Sequence, residues 1–234
     1  MPADDVPIGK SEEENVEIRK WGEIPDFGFK LLDHLEIGRR LGLIDVKRAS
    51  KVSGTRFGYL RGEAVLLEFA LVQFALETLI KEGFTLIVPP VMIKKKMEAD
   101  LGYGEHGGWK DMYLLGKDNL VLVATAEHSL AAMHANEVIE GKKLPLRYVG
   151  FSTCFRREAG SYGKDTRGIF RVHQFDKVEM VALTKQEDSD TEHEFLVSLE
   201  EKLMQALKLP YRITKMCTAD LGQPTARKYD LETW

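Results

Sequence analysis

The most densely apolar stretch of the chain runs from Ala64 to Ile80, with Glu68, Gln73 and Glu77, and Lys81 next, as its spaced polar positions. That spacing of four to five residues predicts a helix from about Gly62 to Glu82, ended by Gly83. Its surface is apolar almost all round, so it should be buried on more than one side, either between its own sheet and a second subunit or wholly inside one subunit. Upstream, Leu31, Leu32, Leu35, Ile37 and Leu41 mark a helix over residues 30–43, and residues 45–59 read as irregular or strand-like, punctuated by Gly54 and Gly58. Downstream, residues 84–88 form a short strand stopped at Pro89-Pro90, which suits a sheet edge or terminus. A helix over residues 92–101, a glycine-rich loop over 102–109 and a hairpin of 112–115 with 120–125 follow. Thr125 then caps a helix reaching about Glu140, 186–207 is amphipathic and helical, and 211–218 and 230–234 read as strands. The first twenty residues, with Pro2, Pro7, Gly9 and the acidic run at 11–15, read as a solvated, flexible linker, with order beginning near Ile18.

The segment Phe155–Met180 carries the chemistry. It reads as two strands joined by a loop over residues 159–168. Period-two geometry puts Arg171, His173, Phe175, Lys177 and Glu179 on one face, and Arg156 and Glu158 on the matching face of the first strand. Arginine forks suit phosphates or a carboxylate, Phe175 offers a flat face to a base, Glu158 can accept from an exocyclic amine and Glu179 from an ammonium or hydroxyl. An exposed cross-strand salt-bridge ladder is the plainer alternative and covers Arg157, Lys164 and Asp165. It covers less well the loop glycines 160, 163 and 168 among basic residues, which suggest a mobile flap facing phosphate. His173 and Lys177 are given structural roles. For Thr125 and Glu127, ordinary capping chemistry competes with a pocket for an ammonium group.

Composition narrows the classes. The 234 residues, 44% hydrophobic and 30% charged, suit one substantial domain with a core. A net charge of −4 gives no general basic footprint, so any nucleic-acid contact must be local or supplied by another part. Two cysteines, Cys154 and Cys217, support neither a disulfide framework nor a zinc site, and no metal site is expected. No apolar run could span a membrane and no leader pattern opens the chain, which makes the cytoplasm the default. No P-loop, dinucleotide fingerprint or nucleophile elbow occurs, so a nucleotide would have to lie on an antiparallel sheet.

Phe155-Arg-Arg-Glu-Ala-Gly followed by Thr166-Arg-Gly-Ile-Phe-Arg-Val-His-Gln-Phe-Asp-Lys-Val-Glu closely resembles motif 2 of class II aminoacyl-tRNA synthetases, in particular the seryl-tRNA synthetase family. The apolar helix and Gly83-Phe-Thr-Leu-Ile-Val-Pro-Pro90 resemble motif 1, and Thr125-Ala-Glu127 is similar to the family's serine-binding loop. The resemblance implies an α/β (α+β) catalytic domain over residues 21–234, an antiparallel sheet flanked by helices. It implies that Arg156 binds the α-phosphate and the substrate carboxylate, Glu158 reads the adenine amino group, Arg171 holds the γ-phosphate and Phe175 stacks on adenine. Thr125, Glu127, Arg156 and Glu179 would recognise serine, Pro90 would mark a homodimer interface, and ATP with Mg²⁺ would be used to make seryl-adenylate for transfer to tRNA(Ser). The family's N-terminal tRNA-binding arm and its motif 3 have no counterpart among these residues. The expectation is therefore a C-terminally incomplete catalytic core with impaired activity. Two other functions fit parts of the pattern: an amino acid:carrier-protein ligase, and a non-enzymatic dimerising or regulatory paralogue.

Overall fold

The computed structural model describes residues 1–104, 108–159, 167–222 and 224–234. The chain forms two compact units, Phe29–Leu183 and Met1–Gly28 with Thr184–Trp234. In chain order the elements are β1 (Val16–Trp21), α1 (His34–Arg40), β2 (Ile44–Asp45), α2 (Val46–Ser53), β3 (Tyr59–Leu60), α3 (Glu63–Lys81), β4 (Thr85–Ile87), β5 (Met92–Lys94) and α4 (Lys95–Asp100). There follow β6 (Tyr113–Leu115), β7 (Leu120–Leu122), α5 (Ala126–Ala132), β8 (Leu146–Phe155), β9 (Gln174–Leu183), α6 (Ser189–Ala206), β10 (Tyr211–Lys215) and β11 (Tyr229–Thr233). No helix among the described residues is long and apolar enough to cross a membrane.

In the larger unit the spine is the β8–β9 antiparallel pair, in register from Leu146 opposite Leu183 to Phe155 opposite Gln174. The edge strand β4 joins β8 in parallel, so this sheet is mixed where an antiparallel one is expected. A second sheet, ordered β5-β7-β6, packs Ile93, Met112, Val121 and Val123 into its own core. The residue after β7 ties the two together: Val123 donates its N–H to the Val91 carbonyl (3.0 Å) and accepts from the Phe155 N–H (2.9 Å). The short helix α5 lies against the spine at Gly150, where a Cβ would come within 2.8 Å of Leu130 Cδ1 and 3.4 Å of Ala126 Cβ. Only a residue without a side chain lets the helix approach this closely. That contact presents the N-terminus of α5 to the end of the spine.

Several expected elements differ. The helix after Thr125 ends at Ala132 and not near Glu140. Residues 92–94 are strand β5 before α4 begins. The segment 45–59, expected irregular, contains the two-turn helix α2, capped by Asp45, whose carboxylate accepts the Arg48 N–H at 2.9 Å, and closed by Gly54 at φ 95°. It is a polar helix with Ala49 as its one buried residue, so it lacks the apolar stripe that reveals helices in sequence. α1 occupies only the middle of its expected span, starting at the Asp33 cap. α3 matches its expected span within a residue at each end, but only Leu79 is buried, and Leu66, Leu67 and Phe69 are more than half exposed.

The smaller unit is the β1-β10-β11 antiparallel sheet with Val197, Tyr211 and Ile213 in its core. Here the linker expected over residues 1–20 is corrected. β1 pairs with β10 from Val16 opposite Lys215 to Trp21 opposite Tyr211, and Val6 is buried. Thr218 donates its N–H to the Pro7 carbonyl at 2.9 Å, and a Cβ on Gly9 would lie 2.6 Å from Cys217 Sγ. These partners are some two hundred residues away in sequence, which no local pattern reports. Charge also holds the unit. Hydrogen bonds from Lys215 and then Arg227 keep the Asp5 carboxyl below its usual range, and those from Arg19 do the same for Glu201. A carboxylate depressed in the folded state contributes stability that is present above its unfolded value near about 4 and lost as pH falls through the lower folded value. Thermal melts should therefore show a drop in Tm as pH falls below about 4, with a smaller drop for Glu201→Gln; equal slopes would contradict the pairing.

Candidate active site

The site forms where β8 ends and β9 begins. Arg156 is the first residue past β8. Its backbone N–H donates to the His173 carbonyl at 3.0 Å, and its carbonyl lies 2.9 Å from His173 Nδ1. The guanidinium is fixed twice, by Nε donating to the Ala124 carbonyl at 3.2 Å and by lying 5.1 Å over the Phe175 ring. Glu158 sits in the left-handed region at φ 51°, and its carboxylate accepts from Arg171 at 3.0 Å. Its carbonyl accepts from Arg56 at 2.9 Å, so a residue from the α2–β3 connection props the turn. Arg156, Glu158, Arg171, Val172, Phe170 and Phe175 enclose a pocket of about 240 Å³.

The expected strand placement is thereby corrected for three residues. Arg156, Glu158 and Arg171 lie beyond the paired strands, at the base of the loop, while Phe175 and Glu179 are on β9. The pairing begins upstream, at Leu146, nine residues before the first strand that the sequence pattern suggests. The charged residues still converge, because Arg156 and His173 continue the ladder by one irregular rung. The expected flap falls largely on residues 160–166, outside the described residues. Its C-terminal side is described and docked: Ile169 donates its N–H to His34 Nε2 at 3.2 Å, and the Phe170 ring meets the His34 ring edge at 4.1 Å.

A second cluster adjoins the first through Ala124. Thr125, the N-cap of α5, is 6% exposed, and its hydroxyl is fully used. It accepts from the Glu127 N–H at 3.2 Å and Lys177 Nζ at 3.0 Å, and donates to Glu179 at 2.8 Å. One donor and two acceptor positions exhaust a hydroxyl. Lys177 also pairs with Glu179. Lys177, expected to have a structural role, is held inside the cluster by these two partners. The capping reading of Thr125 holds, and the same hydroxyl also joins Lys177 and Glu179.

Behind Glu127 lie residues the sequence did not single out. Tyr103, from the glycine-rich loop, donates its hydroxyl to the Glu127 carboxylate. Burial, then that carboxylate, push the phenol well above its ordinary range. The Tyr103 ring tilts against His128 with centroids 4.2 Å apart. His128 Nδ1 is 2.9 Å from Glu98 Oε1, with the side chains 3% and 0% exposed. The two meet in distance but not in hydrogen-bond angle. The two expected roles on these positions, a phosphate and base site around Arg156 and an ammonium site around Glu127, therefore occupy contiguous ground.

Known proteins resemble this arrangement. The family described as "tRNA synthetase class II core domain (G, H, P, S and T)" matches residues 113–234. The serine–tRNA ligase of Dictyoglomus turgidum is 46% identical over 98% of this chain and 54% of its own length. That of Streptomyces coelicolor is 50% identical, again over 98% and 54%. A crystal structure of Pyrococcus horikoshii seryl-tRNA synthetase complexed with ATP superposes with a TM-score of 0.94 at 44% identity, covering 100% of this chain and 56% of that one. The chain spans about half the length of the curated relatives it matches.

Proposed function

This chain belongs to the class II tRNA synthetase core-domain family, and from that premise we propose that it carries the ATP- and serine-binding wall of a serine–tRNA ligase active site. The observation that supports the reading most is that the pocket of Arg156, Glu158, Arg171 and Phe175 adjoins a charged cluster of different chemistry, Thr125, Glu127, Lys177 and Glu179, through the Arg156–Ala124 hydrogen bond. The serine carboxylate attacks the α-phosphate of ATP, pyrophosphate leaves, and seryl-adenylate forms. The 3′-terminal ribose hydroxyl of tRNA(Ser) then attacks the acyl carbon and AMP leaves. Nothing in the cluster needs to act as a covalent nucleophile, so positioning and electrostatics supply the catalysis.

Arg156 is placed to meet charge at the α-phosphate and the incoming carboxylate. Its guanidinium backs one face of Phe175, which directs an adenine to the other. Arg171 is 47% exposed, so its ion pair with Glu158 is weak and readily exchanged for a γ-phosphate. In this reading the Glu158 carboxylate accepts from the adenine amino group. Glu127 and Glu179 face the substrate ammonium and hydroxyl. Among the described residues no group of three or more His, Cys, Asp or Glu side chains is gathered for a metal. Mg²⁺ enters this reading as the counter-ion that ATP brings. Such an enzyme works where translation occurs, in the cytoplasm.

The reading includes a homodimer through α3 and the turn at Pro90. Leu66 and Phe69 are one helical turn apart and 69% and 57% exposed. Pro90 is fixed from behind, its carbonyl accepting the Ser129 hydroxyl. Sedimentation should show a dimer for the wild-type chain, and Leu66→Glu with Phe69→Glu should raise the dimer dissociation constant at least tenfold. A monomeric wild-type chain would refute this part. Serine-dependent ATP–pyrophosphate exchange tests the catalytic reading itself.

A further inference from the structure

We infer that Tyr103 is a positioning residue for the amino-acid substrate, holding the Glu127 carboxylate in the orientation that an ammonium group requires; this rests on the serine-binding reading above. Glu127 stands in the first turn of α5, where its own backbone N–H is tied to Thr125 but where nothing in the helix orients its carboxylate. The Tyr103 hydroxyl supplies that orientation from a separate loop. A phenol donating to a carboxylate stabilises the anion, and in a partly buried pocket it does so more strongly than water would.

The phenol is itself held from behind. His128 follows Glu127 directly and is buried beneath the Tyr103 ring, at 4.2 Å between centroids. His128 is in turn set against Glu98 of α4, at 2.9 Å and with no exposed surface on the glutamate. Side chains from α4, the glycine-rich loop and α5 thus stack in the order Glu98, His128, Tyr103, Glu127, and only the last needs to reach the substrate. A buried ionisable pair is expensive to keep and is more readily explained if it fixes something in place. Here it fixes the ring whose hydroxyl aims Glu127. Of the remaining charged groups, Lys177 and Glu179 hydrogen-bond Thr125, while Glu179 and Glu98 reach the Tyr103 phenol through their charge alone.

Tyr103→Phe removes the donor and keeps the ring on His128. The variant and the wild-type chain are titrated calorimetrically with serylsulfamoyl adenosine, with its analogue lacking the amino group, and with ATP. The wild type should prefer the amino-bearing ligand. Tyr103→Phe should weaken that ligand roughly tenfold, in line with the loss of one hydrogen bond to a charged group, and leave the other two unchanged. A general structural role would weaken all three alike, and that result overturns the inference. So does an unchanged affinity for the amino-bearing ligand. In a Glu127→Gln background the same substitution should cost much less, since the hydroxyl acts through that carboxylate; equal losses in both backgrounds also overturn it. If the wild-type chain fails to bind serylsulfamoyl adenosine, the serine reading falls and takes this inference with it, an outcome distinct from the other three.

Discussion

Arg156→Ala is expected to lower serine-dependent ATP–pyrophosphate exchange by about 10²–10³-fold, the usual loss when one preorganised electrostatic donor is removed from a transition state. The substitution takes away a guanidinium anchored by the Ala124 carbonyl and laid over Phe175, at the point where the pocket meets the charged cluster. Negative charge grows on the α-phosphate as the carboxylate approaches, and a guanidinium already in place stabilises it without reorganising. Arg156→Lys should recover little, because an ammonium keeps the charge and loses both the planar fork and the stacking. The melting temperature should change little, since the backbone bonds of Arg156 to His173 remain. Exchange at wild-type rate would show that Arg156 does not touch the reacting atoms.

Glu98→Ala is expected to cost about 3–5 kcal/mol of stability, because it strands His128 in a buried site built around a carboxylate. For a chain of this size that lowers Tm by on the order of 10 °C, read by calorimetry or circular dichroism. Removing both partners should be milder than removing one. A Glu98→Leu, His128→Phe double variant replaces the pair by packed apolar groups and should recover most of the loss. If the single variant melts with the wild type, the pair contributes nothing to the fold. If the double variant melts lower than the single, apolar packing cannot substitute for it.

The comparison of pattern with structure is uneven for identifiable reasons. The α3 helix was legible because nineteen residues with widely spaced polar positions admit no other regular structure. The six-residue polar edge strand β1 and the helix α2 were not, since neither buries a stripe and each depends on distant partners or a single cap. The charged residues of the site were all visible in the sequence, yet Arg156, Glu158 and Arg171 were assigned to strands. Period-two alternation shows which residues share a face but not where a ladder stops, and here it stops at Phe155 and Gln174. The structural role read for Lys177 fits its bonds to Thr125, fifty-two residues earlier, and to Glu179. Tyr103, His128 and Glu98 carried no signal at all. Their chemistry comes from a tertiary stack, and the nearest hint was an aromatic residue in a loop otherwise rich in glycine.

Binding of a seryl-adenylate mimic is the most direct test of whether these residues form a serine-specific nucleotide site. The wild-type chain, titrated calorimetrically with serylsulfamoyl adenosine, should bind it saturably and more tightly than AMP or the glycyl analogue, because Glu127 and Glu179 offer partners to the ammonium and the hydroxyl. No binding, or equal affinity for the seryl and glycyl compounds, would contradict that assignment.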